Sequence, residues 1–137
     1  MAKRPSFQFY PSDWRTDVGL RLCSGPARGL WIEMLCMMHE GEPYGHLTLG
    51  GEAISDTRLA RLHGEPEAEV TRWREELRVN NVYSITSGGV IFSRRMIRDE
   101  QLRELRASSG QKGAEHGKKG GRPPKPKTPK SKDGGND

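Results

Sequence analysis

Residues 66–95 read PEAEVTRWREELRVNNVYSITSGGVIFSRR and change period part-way. From Glu67 to Val79 the apolar residues Val70, Trp73 and Leu77 recur at i, i+3 and i+7, one face of a helix. Asn80-Asn81 stops that helix, because Asn tolerates the left-handed conformation at a helix end. Val82–Thr86 and Val90–Arg94 are then β-branched and aromatic runs on either side of Ser87-Gly88-Gly89. Glycines permit the positive φ angles that a tight hairpin needs. A helix, a short break and a hairpin with a small tip form the second half of a winged helix-turn-helix. The expected fold class is therefore α+β: a three-helix core with a β-hairpin wing.

The residues upstream supply the first half. Ser24 is an N-cap and Pro26 sits in the first turn, where its missing N–H does no harm. Ala27, Leu30, Trp31, Met34, Leu35 and Met38 follow the helical period, so this is the main core helix; Gly41 and Pro43 end it. Cys36 lies within this run and reads as a small core residue. His46-Leu47-Thr48-Leu49 is a short alternation expected to pair with the wing, closed by Gly50-Gly51. Ile54, Leu59 and Leu62 mark a second helix, starting at Ser55 or Asp56 and ending at Gly64. Helix, Gly-containing turn and helix in that order make the helix-turn-helix.

The flanks differ in kind. Residues 7–14, FQFYPSDW, are rich in aromatics and are expected to pack on the core as an extension covering residues 1–23. Pro11 argues against a helix through them, and a base-stacking platform is the functional alternative. Beyond the wing, residues 96–107 read as a helix with Ile97, Leu102 and Leu105 inside. Residues 108–137 are rich in Gly, Lys and Pro, show no apolar period and read as a disordered tail. That leaves 24–107 as the domain. The charge divides at the same place. The chain carries +5, yet residues 1–107 hold 15 basic and 15 acidic side chains, and the whole excess lies in the tail.

A groove-binding helix with a wing points to double-stranded DNA. On the third helix Thr71, Arg74 and Arg78 share one flank of the apolar stripe and are the candidates for phosphate or base-edge contacts. Glu65, Glu67, Glu69, Glu75 and Glu76 outnumber its arginines, so a solvated helix with ion pairs such as Arg72–Glu76 is the competing expectation. Ser87, Gly88 and Gly89 at the wing tip, with Arg94, Arg95 and Arg98 just after it, are candidates for holding backbone. In the tail Lys118, Lys119, Arg122 and Lys125 surround Gly121-Arg122-Pro123, a weak likeness to an AT-hook core. A nonspecific cationic arm is the plainer alternative.

Several classes are read out. Two cysteines are too few for a disulfide framework, and reduced thiols are expected. Cys36-x-x-His39, with His46 and His63 elsewhere, lacks the second ligand pair of a zinc site, so no metal is expected. No phosphate-binding Gly-x-x-x-x-Gly-Lys loop or nucleophile motif is present, and neither enzyme activity nor a cofactor is expected. Absence of a signal-like segment or a long apolar run points to the cytoplasm and away from membranes.

The chain resembles the small winged-helix proteins of bacteriophages and prophages, related to the N-terminal domain of phage replisome-organiser and replication-initiation proteins. FQFYPSDWRTD (7–17), ARGLWIEMLCMMHE (27–40), PYGHL (43–47), LARLHG (59–64) and GVIFSRRMIRDE (89–100) carry the likeness. It implies a winged-helix fold and a part in phage DNA replication or its control, with phage or host replication proteins as partners. Longer members add a C-terminal domain that engages the replication machinery; only a basic tail follows here. The alternative is an adaptor that recruits replication partners through the Trp31/Met37 region or the acidic third helix and touches DNA only through the tail. A winged helix acts as a monomer or a homodimer, and no heptad seam selects between them.

Overall fold

The computed structural model describes residues 5–118. Its architecture is α+β. In chain order the elements are α1 (Pro11–Thr16), α2 (Val18–Leu22), α3 (Gly25–His39), β1 (Thr48–Leu49), β2 (Glu52–Ala53), α4 (Asp56–His63), α5 (Glu67–Val79), β3 (Ser84–Ile85), β4 (Ile91–Phe92) and α6 (Arg94–Lys118). The chain divides into two units at Glu100–Gln101, so α6 runs from the first unit into the second.

The core is built on α3. Its stripe Ala27, Leu30, Trp31, Met34, Leu35 and Met38 is buried as the spacing predicts, and α5 packs across it with Val70 and Leu77. Leu47 and Leu59 complete the fully buried set. Each such aliphatic side chain contributes about 1.5–3 kcal/mol relative to leaving it in water. Ser24 caps α3, its Oγ accepting from the Ala27 N–H at 3.3 Å. A second cap comes from α5: the Glu76 carboxylate accepts from the Ser24 N–H at 2.8 Å and the Ser24 hydroxyl at 3.0 Å. Glu76 is thereby withdrawn from the expected ion pair with Arg72, which pairs with Glu69 instead. α4 begins at the Ser55 cap and ends at Gly64.

The hairpin after α5 is shorter than its β-branched runs suggest. Val82 and Tyr83 are buried, and the Val82 N–H donates to the Leu77 carbonyl at 2.9 Å, closing the end of α5 instead of joining a ladder. Asn81 takes the left-handed turn (φ 58°). The tip closes from Thr86 to Val90, with Gly89 at φ 88°. At the far end Ser93 caps α6, its Oγ accepting from the Met96 N–H at 3.2 Å, so Arg94 opens a helix and does not extend a strand. The expected pairing of residues 46–49 with this hairpin is half realised. His46 bridges Phe92 and the Leu47 N–H donates to the Ile91 carbonyl at 2.8 Å, whereas Thr48 and Leu49 turn back on Ala53 and Glu52.

Three further expectations are corrected. Pro11 does not keep its segment out of a helix: it opens α1, at the end where a missing N–H costs nothing. Cys36 is exposed, because it lies off the α3 stripe, and the buried thiol is Cys23. α6 does not stop at residue 107 but continues to Lys118. Once a helix exists, each added residue gains a backbone hydrogen bond without needing an apolar face. Its expected inner side is also narrower than predicted: Met96 is buried and Ile97 half-buried, while Leu102 and Leu105 are exposed.

Candidate nucleic-acid interface

The third-helix candidates are tied down within the protein. α5 presents Arg74 to the start of α4, where Arg74 Nε donates to Asp56 Oδ1 at 2.6 Å and Nη2 to Oδ2 at 2.9 Å. Its third nitrogen, Nη1, reaches the Tyr83 hydroxyl at 3.3 Å. Thr71 joins the same carboxylate, its hydroxyl donating to Asp56 Oδ2 at 3.0 Å. The Arg74 hydrogen bonds hold the Asp56 carboxyl below its ordinary value, and the Asp56 hydrogen bond raises the Arg74 guanidinium further. Burial pushes the Tyr83 phenol up. This cluster joins α4, α5 and the segment leading into the hairpin.

Arg78 and Arg72 are exposed but compensated. Arg78 pairs with Glu75, which lowers that carboxylate, and Arg72 pairs with Glu69. The solvent face of α5 is therefore a set of neutralised i,i+3 pairs flanked by the exposed Val79.

The hairpin side is different. Ser87, Gly88 and Gly89 are exposed at the tip. Arg94 braces the hairpin, donating to the Ser84 hydroxyl at 2.9 Å and the Asn81 carbonyl at 2.7 Å, yet it has no carboxylate partner among the described residues. One turn further along α6, Arg98 is exposed, with no hydrogen-bond or ion-pair partner among the described residues. Arg95 is committed: it pairs with Asp13 and lies 4.2 Å above the Tyr10 ring. Tyr10 in turn donates to Asp99 at 3.0 Å, which ties the aromatic extension to the start of α6. Lys118 ends α6, while Lys119, Arg122 and Lys125 lie outside the described residues.

Between that extension and α6 runs a cleft of about 200 Å³. Phe7, Phe9, Tyr10 and Trp14 line one part of it and Arg94, Arg95 and Arg98 another; the buried Leu20, Trp31, Leu35 and Met96 also contribute. Sequence reasoning saw the rings and the arginines separately and did not bring them together. Their separation of about eighty positions leaves no local signal. It also missed Arg58 and Arg61, one turn apart on α4, both exposed and without a partner among the described residues. Their i, i+3 spacing opposite Leu59 was the available signal.

Three of the four histidines meet aromatic side chains: His39 meets the Tyr44 hydroxyl at 2.8 Å, His46 lies against Phe92 and His63 against Trp73. Among the described residues no group of three His, Cys, Asp or Glu side chains is placed to hold a metal. No described helix is long and apolar enough to cross a membrane. No family model matches the chain, and neither does any curated protein or solved structure.

Proposed function

We propose that the chain is a DNA-binding winged-helix protein of phage or prophage type, acting in DNA replication or its control. In this reading α3, α4 and α5 are the three-helix core and the β3–β4 hairpin is the wing. Duplex contact comes from the wing side, through the tip Ser87–Gly89 with Arg94 and Arg98, and from the basic C-terminal residues. The observation that carries it is the contrast in compensation: the α5 arginines are spent on carboxylates, whereas Arg94 and Arg98 are not. Phosphate binding needs cations without an internal partner, because affinity comes from exchanging counterions for side chains. The test is duplex affinity of the full chain, wild type against Arg94→Gln/Arg98→Gln and against Arg78→Gln, with loss in the first and not the second as the expected result.

A second reading keeps the scaffold as an adaptor for replication proteins, with DNA touched only by the tail. The neutral α5 face favours it, as does a groove where Leu49 and Leu62 stay 50% and 49% exposed beside Met37 and Ile54. Trp31, part of the surface first expected for this role, is only 6% exposed and belongs to the core. Under this reading, neutral substitution of the tail lysines removes all duplex binding.

A further inference from the structure

We propose that the cleft between the N-terminal extension and the start of α6 is a site for one unstacked base of a single-stranded nucleic acid, with the adjoining phosphate on Arg98 and Arg94. The proposal rests on the nucleic-acid reading above and goes beyond it, because the bases of an intact duplex are not free to enter a cleft.

The first argument is the availability of a ring. Phe9 is 45% exposed although it is a large apolar side chain at the edge of the cleft. It is held against Trp14, with ring centroids 5.5 Å apart and planes tilted by 51°. Tyr10 is not available in the same way, since the Arg95 guanidinium covers it. Phe9 is thus a positioned ring with solvent beside it, the platform on which a base stacks regardless of its identity.

The second argument is charge. Both carboxylates of the cleft are engaged: Asp13 pairs with Arg95, and Asp17 Oδ1 accepts from the Leu20 N–H at 3.2 Å as the cap of α2. Arg94 and Arg98 keep their positive charge without a carboxylate among the described residues. Three guanidiniums thus face two carboxylates, Asp17 keeping its charge, and the lining retains one net positive charge for a phosphate. The third argument is size. The cleft falls below the roughly 300–1,000 Å³ of sites for drug-sized molecules and suits a single ring with a phosphate beside it.

The test measures binding of the full chain to a labelled oligothymidylate, an abasic oligomer of equal length and a duplex, by anisotropy and by tryptophan quenching. The basic tail meets phosphates in all three, so the difference between the first two isolates the base. The wild type is expected to bind the oligothymidylate about tenfold more tightly than the abasic oligomer, a usual stacking effect for one base. Phe9→Ala is expected to remove that preference and leave duplex affinity unchanged, while Phe9→Tyr restores it. Thermal melts establish that the variants are folded. Equal affinity for the abasic oligomer overturns the proposal, as does an unchanged preference in Phe9→Ala. Quenching by a glutamate-rich peptide but not by oligothymidylate also overturns it, making the cleft a protein-docking site. Duplex binding retained under any of these results leaves the proposed function standing. A base preference without duplex binding supports the cleft and counts against the wing-side duplex reading.

Discussion

Arg74 and Asp56 meet edge to edge, two guanidinium nitrogens on two carboxylate oxygens at 2.6 and 2.9 Å, and this pairing occupies the first arginine that the helical pattern of α5 puts forward for DNA contact. The side chains are 20% and 27% exposed, so the pair is partly shielded from water. Arg74→Ala leaves Asp56 facing Thr71 alone and is expected to destabilise the fold by about 1–3 kcal/mol in urea denaturation. A double-mutant cycle with Asp56→Ala should show a coupling of about 1–2 kcal/mol. At a temperature where Arg74→Ala is still folded, duplex affinity should stay within about twofold of wild type. A larger loss would restore Arg74 as a contact.

The same pair fixes a pH dependence. The folded Asp56 carboxyl sits below its ordinary 3.8, so its contribution to stability is fully present above that value. It is lost as pH falls from there through the lowered folded value. Arg74 stays charged throughout this range and adds no slope. Urea midpoints measured from neutral to strongly acid conditions should therefore fall less steeply below pH ~4 in Asp56→Asn than in wild type. Parallel curves would mean that the pair contributes nothing.

The thiols should react unequally. Burial raises both above their ordinary 9.0, but Cys23 is enclosed and shares a contact with the Asn80 amide, whereas Cys36 is exposed on α3. A thiol-specific colorimetric reagent should modify one group quickly in the native protein and the second only on unfolding. Cys36→Ser should abolish the fast phase. Fast loss of two thiols would contradict the placement of Cys23.

The extension is held by a close backbone approach. A Cβ built on Gly19 would lie 2.5 Å from the Asn80 carbonyl oxygen, and a backbone oxygen cannot swing aside as a side chain can. Gly19→Ala should destabilise the protein by about 1–3 kcal/mol, seen as a lower melting temperature. It should also increase the exposure of Trp14 to quenchers. Wild-type stability in this variant would place the extension further from the core.

The sequence carried the fold where burial is periodic. The α3 stripe, the Ser24 and Ser55 caps, the Gly64 stop and the Gly89 turn could each be read from residue type and spacing, because each is a local rule. The site was less legible. A helical wheel places Arg74 and Arg78 on an accessible flank, but whether a guanidinium is free depends on carboxylates elsewhere. Asp56 stands 18 positions from Arg74, and Asp13 stands 82 from Arg95. Cys36 failed for a simpler reason: it lies within an apolar run but off its face, and a run alone does not say which way a side chain turns.

The most direct measurement is duplex affinity of the full chain at roughly 50 and 200 mM salt for three proteins: wild type, Arg94→Gln/Arg98→Gln and Arg78→Gln. Melting curves show that each is folded. If the wing side holds the phosphates, the double variant loses affinity about tenfold and its salt slope falls by about 1.8, two contacts' worth, while Arg78→Gln matches wild type. If Arg78→Gln weakens binding and the double variant does not, α5 is the contacting helix and the wing-side account is wrong.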